Sequence, residues 1–152
     1  MKRIALVAAG LALAACAPPQ VVAPRTAGLQ TQKPDEIPNL EVVVFEVVDS
    51  AEEDGVSFTA VSVDGVPSGK TTAGPRSSEK IWSARVAPGN HLLRMEHWSV
   101  GPEGEATRLN DDLQPRERFV RVDAATKSRV SLRVSDQGRR QEQTLTREKL
   151  PD

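Results

Sequence analysis

In 152 residues the chain has one cysteine, no tyrosine, three phenylalanines and two tryptophans. The single thiol, Cys16, excludes a disulfide within the chain and the spaced cysteine sets of structural zinc sites. With aromatics scarce, a core has to be filled by Val, Leu, Ile and Ala, which suffices for one domain of ordinary size. The only histidines, His91 and His97, would stand ~20 Å apart on one strand at ~3.4 Å per residue. One metal ion cannot join donors so far apart, so no metal site is expected. The formal net charge of −1 excludes a globally basic nucleic-acid binder. Serine never occurs as Gly-x-Ser-x-Gly, and no pair of carboxylates stands out for acid–base work. Ser68-Gly69-Lys70-Thr71 ends like a phosphate-binding loop, but Asp64 occupies the place of its first glycine. The expectation is a non-catalytic protein with no cofactor.

The most informative stretch present is the first. Lys2 and Arg3 precede an apolar run from Ile4 to Ala12, and small residues follow. The run falls short of the ~20 residues that span a bilayer, and the order is that of a signal peptide. Leu13-Ala14-Ala15-Cys16 resembles the lipobox of bacterial lipoproteins at all four positions. The resemblance implies cleavage between Ala15 and Cys16, a diacylglyceryl group on the sulfur and acylation of the new amine. Two or three acyl chains, at ~0.8 kcal/mol per buried methylene, hold a protein firmly on a membrane. Ala17, where Asp would imply retention in the inner membrane, implies the outer membrane, and the domain is expected to face the periplasm.

Four regions follow from the text: a cleaved signal peptide over 1–15, a lipidated tether over 16–39, a β-sandwich over 40–135 and a polar tail over 136–152. Pro18, Pro19, Pro24, Pro34 and Pro38 block helices and strand ladders in the tether. It would reach roughly 70 Å if fully extended.

From Leu40 the hydrophobic period becomes two, the sign of half-buried strands. Val42, Val44 and Glu46 face one way and Val43 and Phe45 the other. Val56, Phe58 and Ala60 share a face, and Asp64-Gly65 signals a turn. Pro88-Gly89-Asn90 reads as a hairpin turn between a strand carrying Trp82, Ala84 and Val86 and one carrying Leu93 and Met95. Val120 and Val122, then Val130, Leu132 and Val134, alternate with Arg121, Ser131 and Arg133, with a turn over 124–127. Short strands joined by such turns predict an all-β fold, a small antiparallel β-sandwich. The segment after Gly138 reads equally as an edge strand, a short helix or a loose end.

Val61, Val63, Asp64, Gly65, Gly69 and Thr71, followed by Pro88, Gly89, His91 and Leu93, resemble the paired motifs of the PEGA domain, a small prealbumin-like sandwich of bacterial envelope proteins. The resemblance covers roughly residues 61–134. It implies a binding or spacing module, with His91 as a structural residue beside the turn. The insertion over 99–115 is long for that family, and His97-Trp98 replace its Gly-Tyr.

Charge is uneven: residues 17–114 carry 8 Lys and Arg against 15 Asp and Glu, and residues 115–152 carry 10 against 6. Arg116, Arg118, Arg121, Arg129 and Arg133 could form a basic stripe, or simply a solvated outer face. Trp82, with Ala84 and Val86, is expected in the core. Trp98 shares a mixed face with Leu92, Arg94 and Glu96. The candidate binding residues are therefore Trp98, Arg121, Arg129 and Arg133. The expected role is recognition of another envelope protein through an exposed strand edge, with cell-wall glycan as the alternative ligand, and no nucleic acid.

Overall fold

The computed structural model describes residues 36–151. The signal peptide, the lipobox with Ala15 and Cys16, and nearly all of the tether lie outside the described residues.

Ten strands follow one another: β1 (Leu40–Glu46), β2 (Val56–Val63), β3 (Val66–Lys70), β4 (Gly74–Pro75), β5 (Lys80–Ala84), β6 (Gly89–Val100), β7 (Ala106–Arg108), β8 (Arg118–Val122), β9 (Thr126–Ser135) and β10 (Arg140–Lys149). One sheet has the order β10-β9-β1-β5; the other is built on β3-β2-β6-β7, with β4 beside β2 and β8 beside β6. The two sheets form the expected small β-sandwich. All pairs are antiparallel except β1 with β9, which run parallel from Leu40↔Ser128 to Glu46↔Val134.

The inner faces follow period two. Leu40, Val42 and Val44 of β1, Trp82 and Ala84 of β5, and Val130, Leu132 and Val134 of β9 meet Val61, Val63, Leu93, Met95, Val120 and Val122 across the core. Asp64 and Gly65 both have positive φ, as a two-residue hairpin between β2 and β3 requires.

The Pro88-Gly89-Asn90 turn is not a hairpin. The strand before it, β5, pairs with β1 in one sheet, and the strand after it, β6, pairs with β2 in the other. Both strands have an apolar inner face, so each must lie on its own side of the core, and residues 85–88 cross between sheets. Asn39, fully buried, fixes that crossing by accepting from Val86 N–H and donating to Val86 O. The 123–125 turn is likewise a crossover, from β8 in one sheet to β9 in the other.

The boundary placed at residue 135 moves to Lys149. The polar tail is an edge strand: β10 pairs with β9 through ten consecutive positions, from Arg140↔Ser135 to Lys149↔Thr126. One side chain explains its attachment. Leu145 packs on the core opposite Val130, while the remaining positions stay polar because the strand lies at the margin.

Candidate functional site

A sandwich has two open sides, and here they differ. On the β3/β5 side Trp82 closes the gap, its indole N–H donating to Ser68 O at 3.3 Å. Gly69 makes this possible, since a Cβ there would stand 2.7 Å from the indole nitrogen. Trp82 is a core residue, as expected.

The β8/β10 side is open. A cleft of about 520 Å³ lies between the edges, lined by Arg116, Arg118, Phe119 and Arg139 with Gln141 and Gln143 of β10. Gln143 holds the cleft together by donating to Arg116 O at 2.9 Å. Gln141 donates to Leu113 O and Gly138 O. At the back, Gln114 substitutes for a strand in the gap between β7 and β8: it accepts from His97 N–H at 2.7 Å and donates to His97 O and Leu109 O. Among the described residues no ion pair involves Arg116, Arg118 or Arg139, and Arg118 Nε is buried without a hydrogen-bond partner. Phe119 is 73% exposed, far more than any other large apolar residue described. Three arginines and a single acid, Asp112, therefore line this cleft, with Phe119 bordering it from the outward parity of β8.

Beside this cleft runs the free edge of β10. Among the described residues it is the only edge strand that is long, unbroken in register and free of proline. β3 carries Pro67 and breaks register between Val61 and Ser62; β4, β5, β7 and β8 are five residues or shorter. Proteins commonly blunt edges with proline, bulges or shortness, because unpaired N–H and C=O groups recruit other strands. Only charge protects β10.

The sequence-level candidates do not form one site. Trp98 lies on the outer face of the β2/β6 sheet, half-buried and stacked on Phe58 with ring centres 6.0 Å apart. Arg129 and Arg133 lie on the outer face of the opposite sheet, so the grouping of Trp98 with the arginine stripe does not occur. Arg129 is paired with Glu41 at 2.5 Å, and Glu41 also meets Lys127. Burial works against Glu41's charge, but the two cations outweigh it and lower its pKa. Arg121 pairs with Asp123 at 3.3 Å. Arg133 is exposed in a shallow depression with Phe45 and Glu142. The arginines that share one cleft are Arg116, Arg118 and Arg139, and the exposed Phe119 borders it. Arg118 has inward parity with Val120 and Val122, and that parity on an edge strand was the available signal.

A second cluster is buried at one end of the core. Thr59 Oγ1 is 2.8 Å from His97 Nδ1, and His97 Nε2 is 3.1 Å from Glu46 Oε1, close enough for charge pairing although not aligned as a hydrogen bond. Ser57 also donates to Glu46. Lys80, fully buried, stands 3.2 Å from Glu46 Oε1. Burial would raise Glu46's pKa, but His97, Ser57 and Lys80 overcome it and bring it down to about 2. The order hydroxyl–imidazole–carboxylate is that of a nucleophile with its base. Thr59 is fully buried and His97 2% exposed, and the adjoining cavity is about 70 Å³. A substrate carbonyl cannot reach Thr59 Oγ1 without parting the sheets, so the cluster as it stands stores charge in the fold. His91 lies elsewhere, bonded to Asp64 and Ala87 O, both at 2.7 Å.

No family model, no curated protein and no solved structure matches this chain.

Proposed function

We propose that the chain is a lipoprotein of the bacterial outer membrane whose β-sandwich binds another envelope protein by strand addition along β10. The lipid on Cys16 anchors it, the proline-rich segment spaces it from the membrane, and the sandwich recognises rather than catalyses. The observation that carries this reading is the β10 edge: ten residues in unbroken register, with no strand on its other side among the described residues. Main-chain hydrogen bonds along such an edge give affinity, and alternate side chains give selectivity. The PEGA-like assignment has support in one contact, Asp64 with His91, which ties the hairpin motif to the turn motif. Glycan stacking on Trp98 has less support, because Phe58 covers one face of the indole and Arg129 and Arg133 lie on the opposite outer face.

The test is crosslinking in the native envelope. A photoreactive residue is placed at Thr146 on β10 or, as a control, at Val66 on β3, with Cys16→Ala as the mislocalised control. One protein, recovered at near-equal stoichiometry from position 146 alone and lost with Cys16→Ala, supports the reading. Muropeptides without a protein partner at position 146 would replace it with glycan binding.

A further inference from the structure

We infer that the strand recruited by β10 is acidic at alternate positions, its carboxylates entering the cleft to meet Arg116, Arg118 and Arg139. This rests on the strand-addition reading and names the chemistry of its partner.

The geometry is that of any sheet. A strand added beside β10 would lie ~4.8 Å away and turn every second side chain toward the inner layer. The inner positions of β10 include Gln141, Gln143 and Leu145, across from Val134, Leu132 and Val130. One strand further out, that layer is the cleft between β10 and β8. Alternate side chains of the added strand therefore drop into about 520 Å³ faced by three guanidinium groups. Desolvating a cation without an acceptor is costly, and Arg118 Nε is already buried and unpartnered. Carboxylates at a spacing of two residues supply the missing acceptors, and guanidinium groups bind them with two parallel hydrogen bonds.

Charge also rejects two occupants closer to hand. A second copy pairing through its own β10 would present Arg147 and Lys149 on the inner side, against the same arginines. The tether of this chain, over 16–39, carries Arg25 and Lys33 against Asp35 and Glu36, two acids that are adjacent and so would point to opposite faces of a strand. Neither supplies alternating carboxylates.

The experiment uses the full chain in detergent and fluorescent peptides the length of β10, read by anisotropy. One peptide alternates Thr and Glu, a second replaces each Glu by Gln, a third gathers the same Glu residues into a block, and a fourth is the alternating Glu peptide with methylated backbone nitrogens. The alternating Glu peptide is expected to bind about tenfold more tightly than the Gln and block versions, with affinity falling as salt rises. Arg118→Gln and, separately, Arg139→Gln should each reduce that preference several-fold, with thermal unfolding checking that each variant is folded. Equal binding of the Glu and Gln peptides, still abolished by methylation, would overturn the acidic partner and leave strand addition standing. Indifference to methylation would overturn strand addition. If polygalacturonate then displaced the peptide, and did so less well from Arg118→Gln, the cleft would be a site for acidic glycan instead.

Discussion

The ammonium of Lys80 stands 3.2 Å from Glu46 Oε1 in the interior of the sandwich, with no solvent exposure. It also donates to the carbonyls of Pro75, Arg76 and Ser78, so four oxygens surround one cation. Truncating either partner strands the other charge. Glu46→Gln and Lys80→Met are each expected to cost ~3 kcal/mol in urea unfolding at neutral pH. The double variant should cost clearly less than the two together, since each change removes the same interaction.

The same carboxylate sets acid sensitivity. Glu46's pKa in the fold is about 2, against an ordinary 4.5. Its contribution is therefore complete above 4.5 and is lost as the pH falls from there through about 2. Thermal unfolding of the wild type should lose stability over that window more steeply than Glu46→Gln. Parallel profiles would mean that Glu46 is not the group responsible.

His91 behaves in the opposite sense. Burial opposes its charge, but the bonds to Asp64 and to Ala87 O outweigh that and raise its pKa above 6.5. Both ring nitrogens face acceptors, so the imidazolium satisfies the site. Its contribution is complete below 6.5 and is lost as the pH rises through the elevated value. Asp64, whose pKa is lowered first by His91 and then by Leu92 N–H, stays ionised throughout that range. In NMR titration, Asp64→Asn should lower the His91 pKa, and it should weaken the loss of stability as the pH rises above 6.5.

Gly69 is the residue on which the closed side depends. Its φ of +137° disfavours an L side chain, and an added Cβ would stand 2.7 Å from Trp82 Nε1. Gly69→Ala is expected to cost ~2 kcal/mol through backbone strain and displacement of the indole. Gly55→Ala, with nothing within 4 Å of the added carbon, should stay within ~0.5 kcal/mol of wild type in the same chemical unfolding assay.

Much of this was legible because period two is a local property. Val42 and Val44, Leu93 and Met95, and Val130, Leu132 and Val134 alternate in the text and line the core in the fold. The same parity extended to Glu46 and His97, on β1 and β6, but it could not show that these strand ends meet, since pairing across sheets depends on the crossovers. Pro88-Gly89-Asn90 illustrates the limit. A turn signal says that the chain reverses, and only the apolar inner faces of both β5 and β6 decide that it reverses across the core. The sequence leaves β10 open among three conformations because Leu145 is its one apolar anchor. The cleft was hidden for the same reason as the crossovers: β8 and β10 are edges of different sheets, and nothing local places Arg118 opposite Gln143.

Phe119 separates folding from recognition at that cleft. At 73% exposed it contributes little to the core, and its neighbour across the sheet is Leu92. Phe119→Ala should therefore leave chemical unfolding within ~0.5 kcal/mol of wild type. Phe119 borders the cleft, and an aromatic ring covered by a partner contributes more than its area alone, so the same variant should bind the alternating Glu peptide several-fold more weakly. Val66→Ala, an exposed apolar residue on β3 far from the cleft, gives the comparison. If both variants bind the peptide like wild type, the ring is a bystander and the arginines alone define the site. If Phe119→Ala loses stability and binding together, the residue supports the β8 edge, and its exposure is not a mark of recognition.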